Sequence, residues 1–309
     1  MEASGNRAAD NVAIILAGGD GTRLRSLTRK ISGQEVPKQF CPVLGATTLL
    51  EQTRHRASLI AGRSRTLTVL TRAHERFYAP ILADALADSM VIQPENRGTA
   101  PAILYALLRI ARTMPAATVA LLPSDHYVSD DRKFAEQIAL AFNATRVRPE
   151  LTVLIGVAPT GPEIGYGWIE PAQSFGGDAA AVFRVRRFWE KPSRELALEL
   201  FNRGCLWNSF VIVARVSTLL GLIMVAAPPL YASFAQIRSR LGTPFEERAI
   251  AALYASLEPI NFSKQILERT SFNLGVLPMR GVDWSDLGEP HRVMEVLARI
   301  GASPRWAAA

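Results

Sequence analysis

The chain has 309 residues, of which 49% are hydrophobic and 20% are charged, and its formal net charge at pH 7 is +7. This composition supports a packed core in one large or two small domains, and no stretch approaches the roughly 18 apolar residues that a membrane span requires. The basic residues form no tract with interleaved aromatic side chains, so the charge favours small polyanionic substrates over nucleic acid.

Short apolar strands alternate with helical segments in the first half of the chain. Strands are predicted at Val12–Ala17, Thr66–Thr71, Met90–Gln93, Thr118–Leu122 and Leu151–Val157. Helices are predicted between them at Thr47–Ile60, His74–Leu86, Thr99–Thr113 and Asp131–Thr145. The first helix has a capping-box start at Thr48 and Glu51. This alternation predicts an α/β fold, with a mostly parallel sheet, helices on both faces, and ligands beyond the carboxyl ends of the strands.

The pattern changes after about residue 160. Strands are predicted at Trp168–Pro171, Ala180–Trp189, Phe210–Val216 and Ser271–Leu277. Helices are predicted at Ser193–Asn202, Thr218–Val225, Leu230–Leu241, Pro244–Leu257 and from Glu289 onward. The sequence shows no internal repeats and no low-complexity linker, which predicts a single α/β domain with an elaborated second half.

A glycine-rich turn follows the first strand and is the strongest functional signal. The run Leu16-Ala17-Gly18-Gly19-Asp20-Gly21-Thr22-Arg23-Leu24 places three glycines within four positions. Such a backbone can turn sharply and press its N–H groups against a ligand. Arg23 follows directly, Lys38 comes later in Pro37-Lys38-Gln39-Phe40, and both cations suit phosphate oxygens. The combination indicates a site for a nucleoside triphosphate.

The turn matches neither of two common phosphate-binding loops. The Walker loop needs glycine, four residues and then Gly-Lys-Ser or Gly-Lys-Thr, which this sequence lacks. The dinucleotide fingerprint needs a third glycine where this chain has Leu24. We therefore interpret the run as a third kind of glycine turn, against the alternative of an ordinary strand-to-loop glycine cluster.

Three further polar segments resist an explanation by packing. Gln93–Ala102 suits recognition of a base edge, or is an ordinary loop that caps the next helix. Leu121–His126 ends a strand in Asp125, which either faces the active edge of the sheet or caps a turn. Asp283–Asp286 supplies carboxylates from a distant part of the chain. Two carboxylates brought together would hold Mg²⁺ through oxygen ligands, although spacing alone does not show that they meet.

Three segments in the second half combine aromatic rings with amides, carboxylates and a lysine. They are Gly165–Glu170, Phe188–Pro192 and Trp207–Ser209. Aromatic faces beside such groups suit a sugar, with Glu190 accepting hydroxyl hydrogen bonds and Lys191 facing a phosphate. The alternatives are a surface ion pair of little energetic value and aromatic residues packed in a core.

Taken in order along the chain, these segments resemble the sugar-phosphate nucleotidyltransferases, and within that family the mannose-1-phosphate guanylyltransferases. Leu16–Leu24 with Pro37–Phe40 resembles the family signature, and Pro94–Ala102 resembles its base-binding segment. The resemblance implies a Rossmann-like nucleotidyltransferase fold with Mg²⁺ as cofactor. It implies GTP and mannose 1-phosphate as substrates, and GDP-mannose and pyrophosphate as products. It also implies one catalytic domain over 1–309, with a nucleotide-binding half at about 11–160, a sugar-binding half at about 161–290, and a C-terminal helix and tail at 291–309.

The resemblance assigns roles to individual positions. The catalytic cations that contact phosphate would be Arg23, Lys38 and Lys191. The nucleotide would be bound by Leu16, Ala17, Gly18, Gly19, Gly21, Thr22, Glu95, Asn96, Thr99 and Ser124. The sugar would be bound by Gly167, Glu170, Glu190 and Asn208, and the metal by Asp125 and Asp286. His126 is expected to be a hydrogen-bonded structural histidine, because an ionised phosphate nucleophile needs no general base.

The chain departs from the family pattern on the sugar side. The family usually has glycine after the segment Trp207-Asn208-Ser209, where this chain has Phe210. The family's Ser-Ile-Asp-Tyr segment is replaced by Asn261-Phe262-Ser263-Lys264. Two alternatives therefore stay open: the same chemistry with another nucleoside triphosphate or hexose 1-phosphate, and a non-catalytic relative that binds nucleotide sugars.

Compartment and partners follow from the remaining features. Met1–Asp10 is polar and lacks an apolar signal region, which predicts a cytoplasmic protein. Cys41 and Cys205 lie far apart, and the four histidines follow no ligand spacing, so we expect reduced, buried thiols. We expect no nucleic-acid or membrane partner, and a homodimer, if formed, would use the catalytic domain.

Overall fold

A nine-stranded mixed sheet forms the centre of the computed structural model, which describes residues 10–179 and 181–307. The strands are β1 (Asn11–Leu16), β2 (Thr66–Thr71), β3 (Met90–Gln93), β4 (Thr118–Pro123), β5 (Tyr127–Val128), β6 (Thr152–Val157), β7 (Gly167–Ser174), β8 (Phe183–Glu190), β9 (Leu206–Arg215), β10 (Leu274–Pro278) and β11 (Trp284–Ser285). The main sheet has the order β3-β2-β1-β4-β9-β6-β10-β8-β7, and β5 pairs with β11 in a separate two-stranded sheet.

The first half of the chain contributes a parallel block to this sheet. Strands β3, β2, β1 and β4 run parallel, and strand β10 is parallel to β6. Strand β9 comes from the second half and lies antiparallel between β4 and β6. The predicted α/β sheet is confirmed, and it is mixed rather than mostly parallel: among the described residues, parallel pairing is confined to these two groups of strands and the other ladders are antiparallel.

Helices cover both faces of the sheet. They are α1 (Arg25–Ser32), α2 (Leu49–Ile60), α3 (Glu75–Tyr78), α4 (Thr99–Thr113), α5 (Asp131–Val147), α6 (Arg194–Asn202), α7 (Val216–Ala226), α8 (Pro228–Ile237), α9 (Glu246–Ser256) and α10 (Pro290–Arg299). Helices α2, α5 and α10 pack into one apolar core, and α4, α7 and α9 pack into the other. The alternating side chains of β1 divide between these two cores, as expected for a strand buried on both faces.

Local sequence signals predicted many helices and strands correctly. The elements Thr66–Thr71, Met90–Gln93 and Thr99–Thr113 are observed with the predicted bounds. The capping box is present, because Thr48 N donates to Glu51 Oε2 at 2.7 Å and Glu51 N donates to Thr48 Oγ1 at 3.2 Å. Cys41 and Cys205 are free and buried, as expected.

Other predicted bounds were wrong. The helix expected at His74–Leu86 is confined to α3 and gives way to turns, because Pro80 has no N–H with which to continue a helix. The strand expected at Phe210–Val216 begins at Leu206, since its first residues pair with β6 and β7. The strand expected from Ser271 begins at Leu274, and α1 was not predicted. Expectations for residues 1–9, 180, 308 and 309 lie outside the described residues.

The small sheet of β5 and β11 positions the candidate site. It pairs Trp284 with Val128 and Ser285 with Tyr127. Next to it, Ser129 N donates to Asp283 O at 3.0 Å, and Asp283 N donates to Ser129 Oγ at 2.8 Å. These contacts join the segment after β4 to the segment after β10. Within 10–179 and 181–307, no helix has the length and apolar character needed to cross a bilayer.

Candidate active site

The glycine-rich turn leaves the carboxyl end of β1 and is held by side chains from neighbouring segments. Gln39 Nε2 donates to the carbonyl oxygens on either side of Gly18, at 3.1 and 2.7 Å. Thr71 Oγ1 donates to the carbonyl oxygen of Gly18 itself at 2.9 Å. A Cβ at Gly18 would lie only 2.7 Å from Gln93 Nε2 and 2.9 Å from Thr71 Oγ1. The close approach of these side chains therefore requires glycine at this position.

The second part of the motif packs directly on the turn. Gly21 has a left-handed backbone with φ of 59°. A Cβ there would lie 2.9 Å from Lys38 N and 3.3 Å from Pro37 Cα. Thr22 then begins a single 3₁₀ turn, Thr22–Leu24. The two sequence motifs are thus in van der Waals contact, and the glycine makes that contact possible.

An open cavity of about 600 Å³ lies against the turn, a size typical of small-molecule sites. Its lining includes the predicted site residues Leu16, Gly18, Gly19, Asn96, Thr99, Ser124, Asp125 and Glu190. Residues that were not predicted to bind ligand also line it, among them Gln39, Gln93, Gly98, Phe210, Asn261, Ser263, Lys264 and Gln265.

Lys38 lies among acidic and carbonyl oxygens next to this cavity. Its Nζ is 3.3 Å from Asp125 Oδ2 and donates to the main-chain oxygens of Asp286 at 2.6 Å and Leu287 at 3.3 Å. The Lys38 side chain is 11% exposed. Asp125 follows β4 and Asp286 follows β11, so the fold brings the two predicted metal-binding acids to the same lysine.

The carboxylate of Asp286 has three hydrogen-bond donors. Its Oδ1 accepts from Arg292 Nη1 at 2.7 Å, from Gly288 N at 2.9 Å and from Tyr166 Oη at 3.0 Å. Burial raises the pKa of this group, but the positive charges of Lys38 and Arg292 outweigh burial and lower the pKa to about 2. Asp286 is therefore ionised at neutral pH.

His126 is hydrogen-bonded, as the sequence predicts, and it also lines the cavity. Its Nδ1 accepts a hydrogen bond from Trp284 Nε1 at 3.2 Å, and the two rings meet edge to face at 5.2 Å. Burial lowers the pKa of His126 to about 4. The imidazole is therefore neutral at neutral pH, which agrees with its role as an acceptor.

One rim of the cavity is built from the start of α4 and a segment near residue 260. Gly98 has φ of 84°, and a Cβ there would lie 2.5 Å from the carbonyl oxygen of Ile260. Two backbone hydrogen bonds join the segments, from Ala100 N to Ile260 O and from Ile260 N to Arg97 O, both at 3.0 Å. This rim therefore depends on glycine at position 98, because a side chain there would collide with the neighbouring backbone.

The predicted base-binding residues lie along the same rim. Asn96 Nδ2 donates to Asp20 Oδ2 at 2.9 Å, which connects the rim to the glycine-rich turn. Thr99 Oγ1 accepts from Phe262 N at 2.8 Å, which connects α4 to the segment 259–265. Polar side chains and exposed backbone therefore border one end of the cavity, as base recognition requires.

Three of the four predicted sugar-binding residues, Gly167, Glu190 and Asn208, lie close together, and Glu190 also lines the cavity. A Cβ at Gly167 would lie 3.0 Å from Glu190 Oε2 and 3.3 Å from Asn208 Cβ. Lys191 Nζ is 3.4 Å from Glu190 Oε1, and its side chain is 57% exposed. Burial raises the pKa of Glu190, and the charge of Lys191 opposes that effect. The arrangement places an exposed cation beside a partly buried carboxylate.

Glu170 does not join this group. It is buried, and its carboxylate forms ion pairs with Arg203 and with Arg186, the latter at 3.1 Å. Glu170 is also absent from the cavity lining. The two arginines satisfy its charge, so the structure explains Glu170 without a ligand.

The predicted residues Ala17, Arg23 and Glu95 are also absent from the cavity lining. Arg23 Nη1 is 2.9 Å from Glu289 Oε1, and its side chain is 55% exposed. Glu95 pairs with Arg97 at 3.0 Å. Ala17 is buried in the apolar core and contributes only its backbone near the turn.

Backbone strain is concentrated at the site. Among the residues that the structure describes, the non-glycine residues with positive φ are Lys191 (50°), Phe210 (59°) and Leu287 (48°). Each such conformation costs about 1–2 kcal/mol and persists only where its surroundings impose it. At Phe210, the N–H donates to Asn208 Oδ1 at 3.1 Å, and the ring meets that of Phe262 at 6.3 Å. Phe210, where the family resemblance leads us to expect glycine, thus has a backbone conformation that favours glycine.

The donor chemistry fits a divalent cation with few protein ligands. Lys38 contacts the carboxylate of Asp125 and the main-chain oxygen of Asp286, so both acidic residues lie near the same lysine. In the described ranges, no group of three or more His, Cys, Asp or Glu side chains is placed to hold an ion. Mg²⁺ commonly takes one or two carboxylates and fills its remaining positions with water and substrate phosphate, so two acids suffice.

Sequence reasoning missed several residues of the site. Gln39 and Gln93 carried a usable signal, because each lies within a motif that the sequence singled out. Arg292 carried no sequence signal, because only the folded structure shows that this basic residue of α10 contacts Asp286. The segment Asn261–Lys264 was noticed only as a departure from a family pattern, yet Asn261, Ser263 and Lys264 line the cavity.

Comparison with known proteins gives a consistent set of matches. Residues 12–224 match the family described as nucleotidyl transferase. The chain is 34% identical to the xanthan biosynthesis protein XanB of Xanthomonas campestris over 213 residues, which are 68% of this chain and 43% of XanB. It is 30% identical to the mannose-1-phosphate guanylyltransferase of Salmonella muenchen over 299 residues, which are 90% of this chain and 57% of that protein. The chain therefore spans about half the length of these curated relatives.

A solved structure shares the fold. It is described as a mannose-1-phosphate geranyltransferase from Thermus thermophilus. The TM-score is 0.78 and the sequence identity is 29%, over 96% of this chain and 80% of that one. This agreement extends across both halves of the sheet and confirms the predicted α/β architecture.

Proposed function

The chain belongs to the nucleotidyl transferase family, and from that premise we propose that it forms GDP-mannose and pyrophosphate from GTP and mannose 1-phosphate. The match to a relative named mannose-1-phosphate guanylyltransferase supports this choice of substrates. The sequence motifs agree with this choice, because those that carry the family resemblance occur in order from Leu16 to Gly288.

One observation carries the proposal. Lys38 Nζ lies 3.3 Å from Asp125 Oδ2 and 2.6 Å from the main-chain oxygen of Asp286, next to a cavity bordered by a glycine-rich turn. A cation and two acidic residues beside a glycine-rich turn suit a metal-bound triphosphate. A core ion pair would not require the open cavity or the glycine-rich border.

The residues divide into three groups by the part of the substrates that they would contact. Gly18, Gly19, Gly21 and Thr22 would present backbone and hydroxyl groups to the triphosphate, with Arg23 and Lys38 supplying charge. Asn96, Thr99 and Ser124, together with Gln93, would border the nucleoside. Gly167, Glu190 and Asn208 would hold the sugar, and Lys191 would reach its phosphate. We leave Glu170 out of this assignment because its carboxylate is held by two arginines.

The reaction needs alignment and charge compensation more than a reactive side chain. A phosphate oxygen of mannose 1-phosphate attacks the α-phosphorus of GTP in line. The bond from that phosphorus to the bridging oxygen breaks, and pyrophosphate leaves with the electron pair. Both reactants are anions, so the cations Arg23, Lys38 and Lys191 reduce their repulsion while the cavity orients them. No proton has to be removed from the ionised nucleophile.

A divalent metal ion is typical of this family, and we propose Mg²⁺ for this chain. Asp125 and Asp286 would hold it, and it supplies positive charge to the triphosphate when bound. Both acids suit this role because each is a hard oxygen ligand and Asp286 is ionised throughout the neutral range.

The test is to incubate the protein with Mg²⁺, one sugar 1-phosphate and one nucleoside triphosphate at a time, measuring pyrophosphate and identifying the product by mass. We expect GTP with mannose 1-phosphate to give the highest kcat/KM. A different preferred pair would keep the reaction type and change the substrates. No pyrophosphate with any pair would refute the proposal. Tight GDP-mannose binding without turnover would support the non-catalytic alternative, which Phe210 and the altered segment 261–264 motivate.

The expected setting is a cytoplasmic enzyme that works on small molecules. The soluble substrates GTP and mannose 1-phosphate support this expectation, and no membrane or nucleic-acid partner is required for the reaction. A homodimer remains a prediction, and size-exclusion chromatography with light scattering tests it directly.

A further inference from the structure

The carboxylate of Asp286 is fixed by a residue that takes no direct part in the proposed reaction. Arg292 lies on α10 and donates from Nη1 to Asp286 Oδ1 at 2.7 Å. Its other terminal nitrogen, Nη2, is 2.9 Å from Glu163 Oε2. The Arg292 side chain is only 7% exposed. The guanidinium therefore bridges two carboxylates and uses both arms of its planar fork.

A second partner fixes the plane of this guanidinium. The Tyr166 ring lies 4.3 Å from Arg292 Cζ, in cation–π geometry. The Tyr166 hydroxyl also donates to Asp286 Oδ1 at 3.0 Å. Two donors from different segments thus converge on one carboxylate oxygen, and they also contact each other. These mutual contacts of Arg292, Tyr166 and Asp286 leave the Asp286 carboxylate little freedom to rotate.

Backbone geometry restricts Asp286 further. The next residue, Leu287, has a left-handed backbone with φ of 48°. The following residue, Gly288, donates its N–H to Asp286 Oδ1 at 2.9 Å, and a Cβ there would collide with Asp286 Oδ2. The Asp286 side chain is therefore folded back over Gly288, and the main-chain oxygen of Asp286 accepts a hydrogen bond from Lys38 Nζ.

Glu163 connects this arrangement to the predicted sugar side. Its Oε1 accepts from Gly165 N at 2.8 Å, and its main-chain oxygen accepts from Trp168 Nε1 at 2.8 Å. These bonds hold the loop that leads into Gly167. A single chain of ion pairs and hydrogen bonds thus runs from the acid at the proposed metal site to the loop at the proposed sugar site.

We propose that Arg292, braced by Glu163 and Tyr166, is a positioning residue that fixes the orientation of Asp286 for binding a divalent cation. The inference rests on the proposed function for the assignment of Asp286 as a metal-binding acid. Outer groups that orient a metal ligand typically contribute about 10- to 100-fold to metal affinity or activity. An ion pair with only a structural role would change stability and leave metal affinity unaltered.

The test replaces Arg292 and measures metal binding without turnover. Arg292→Lys keeps the charge but cannot bridge both carboxylates, and Glu163→Gln removes the brace. Mn²⁺ is titrated into each protein with saturating GDP, and bound metal is followed by electron paramagnetic resonance. We expect the half-saturating Mn²⁺ concentration to rise about 10-fold or more in Arg292→Lys and in the same direction in Glu163→Gln. GDP affinity without metal should stay within about twofold of wild type.

Arg299→Ala is the matched control. Arg299 lies on the same helix and, with Arg292, lines a second cavity of about 590 Å³. Its partner is Asp283, at 3.9 Å, rather than Asp286. We expect wild-type Mn²⁺ affinity in this variant. Circular dichroism verifies the fold, and Glu163→Gln carries the test if Arg292→Lys does not fold.

The outcomes separate this inference from the proposed function. Wild-type Mn²⁺ affinity in folded Arg292→Lys and Glu163→Gln would overturn the positioning role, even if the wild-type protein makes GDP-mannose. Weakened Mn²⁺ binding in both variants would support the role, even if the wild-type protein releases no pyrophosphate. If wild-type protein with GDP binds no Mn²⁺, the inference is wrong.

Discussion

The close contact between Gly98 and Ile260 allows a quantitative prediction for Gly98→Ala. Gly98 has φ of 84° and ψ of 178°, a region essentially restricted to glycine, and another residue there costs about 1–3 kcal/mol. The new Cβ would also lie 2.5 Å from Ile260 O. Because that neighbour is backbone, the segment must move and strain two hydrogen bonds, each contributing about 1 kcal/mol. We expect the free energy of unfolding to fall by about 4 kcal/mol.

Gly62→Ala is the control that isolates the collision. Gly62 has φ of 76° and ψ of 159°, close to those of Gly98, and it also precedes a helical turn. A Cβ at Gly62 would meet nothing within 4 Å, so only the backbone cost of about 1–3 kcal/mol applies. The difference between the two variants measures the contact with Ile260, which we expect to be about 2 kcal/mol.

Urea unfolding and steady-state kinetics provide the assay. Displacing Ile260 also displaces the rim that Asn96 and Thr99 border, so the KM for GTP should rise in Gly98→Ala and stay unchanged in Gly62→Ala. Equal unfolding free energies and equal KM values for the two variants would refute the argument, because the contact with Ile260 would then contribute neither stability nor shape.

Three further predictions concern the cation site and the glycine-rich turn. Asp125→Asn should lower kcat by about 10²- to 10³-fold with an unchanged circular dichroism spectrum, and full turnover would remove Asp125 from the site. Excess EDTA should abolish pyrophosphate release and added Mg²⁺ should restore it, whereas full activity in EDTA would contradict metal dependence. Gln39→Leu removes the donor to two carbonyl oxygens at 3.1 and 2.7 Å. Urea unfolding should therefore show that the free energy of unfolding falls by about 2–3 kcal/mol, and the KM for GTP should rise. If neither quantity changes, the turn does not need this support.

Local sequence signals predicted much of the first half of the fold. Strands β2 and β3 are short β-branched and apolar runs with clear ends, and their bounds agree with prediction. Helix α2 carried its own start signal in Thr48 and Glu51. The prediction of a helix at His74–Leu86 was wrong because the helical spacing of apolar residues continues past Pro80, whereas the helical backbone does not.

Pairings between distant segments could not be predicted in the same way. Strand β9 has the same apolar character as any central strand, and nothing local indicates that it lies between β4 and β6. The pairing of β5 with β11 involves two residues from each strand, too few for a periodic signal. Yet this small sheet brings the segments of Asp125 and Asp286 together. Convergence of the acids thus depends on tertiary structure.

The same limit applies to single residues of the site. Glu170 comes two residues after Trp168 and Glu190 directly follows Trp189, so the sequence gives both the same interpretation. The fold separates them, because Arg186 and Arg203 reach Glu170 while Glu190 borders the cavity. Their different surroundings come from β8 and the end of α6, which sequence spacing does not bring near Glu170.

The central place of β9 affects how the chain folds during synthesis. When the ribosome has added the first 160 residues, β4 and β6 are complete but their shared neighbour, Leu206–Arg215, does not yet exist. At about 5–20 residues per second, translation leaves both strand edges unpaired for roughly 3 to 10 seconds. Exposed edges of this kind recruit other chains. A nascent polypeptide of this topology therefore has a built-in period in which these strand edges are free to pair with other chains.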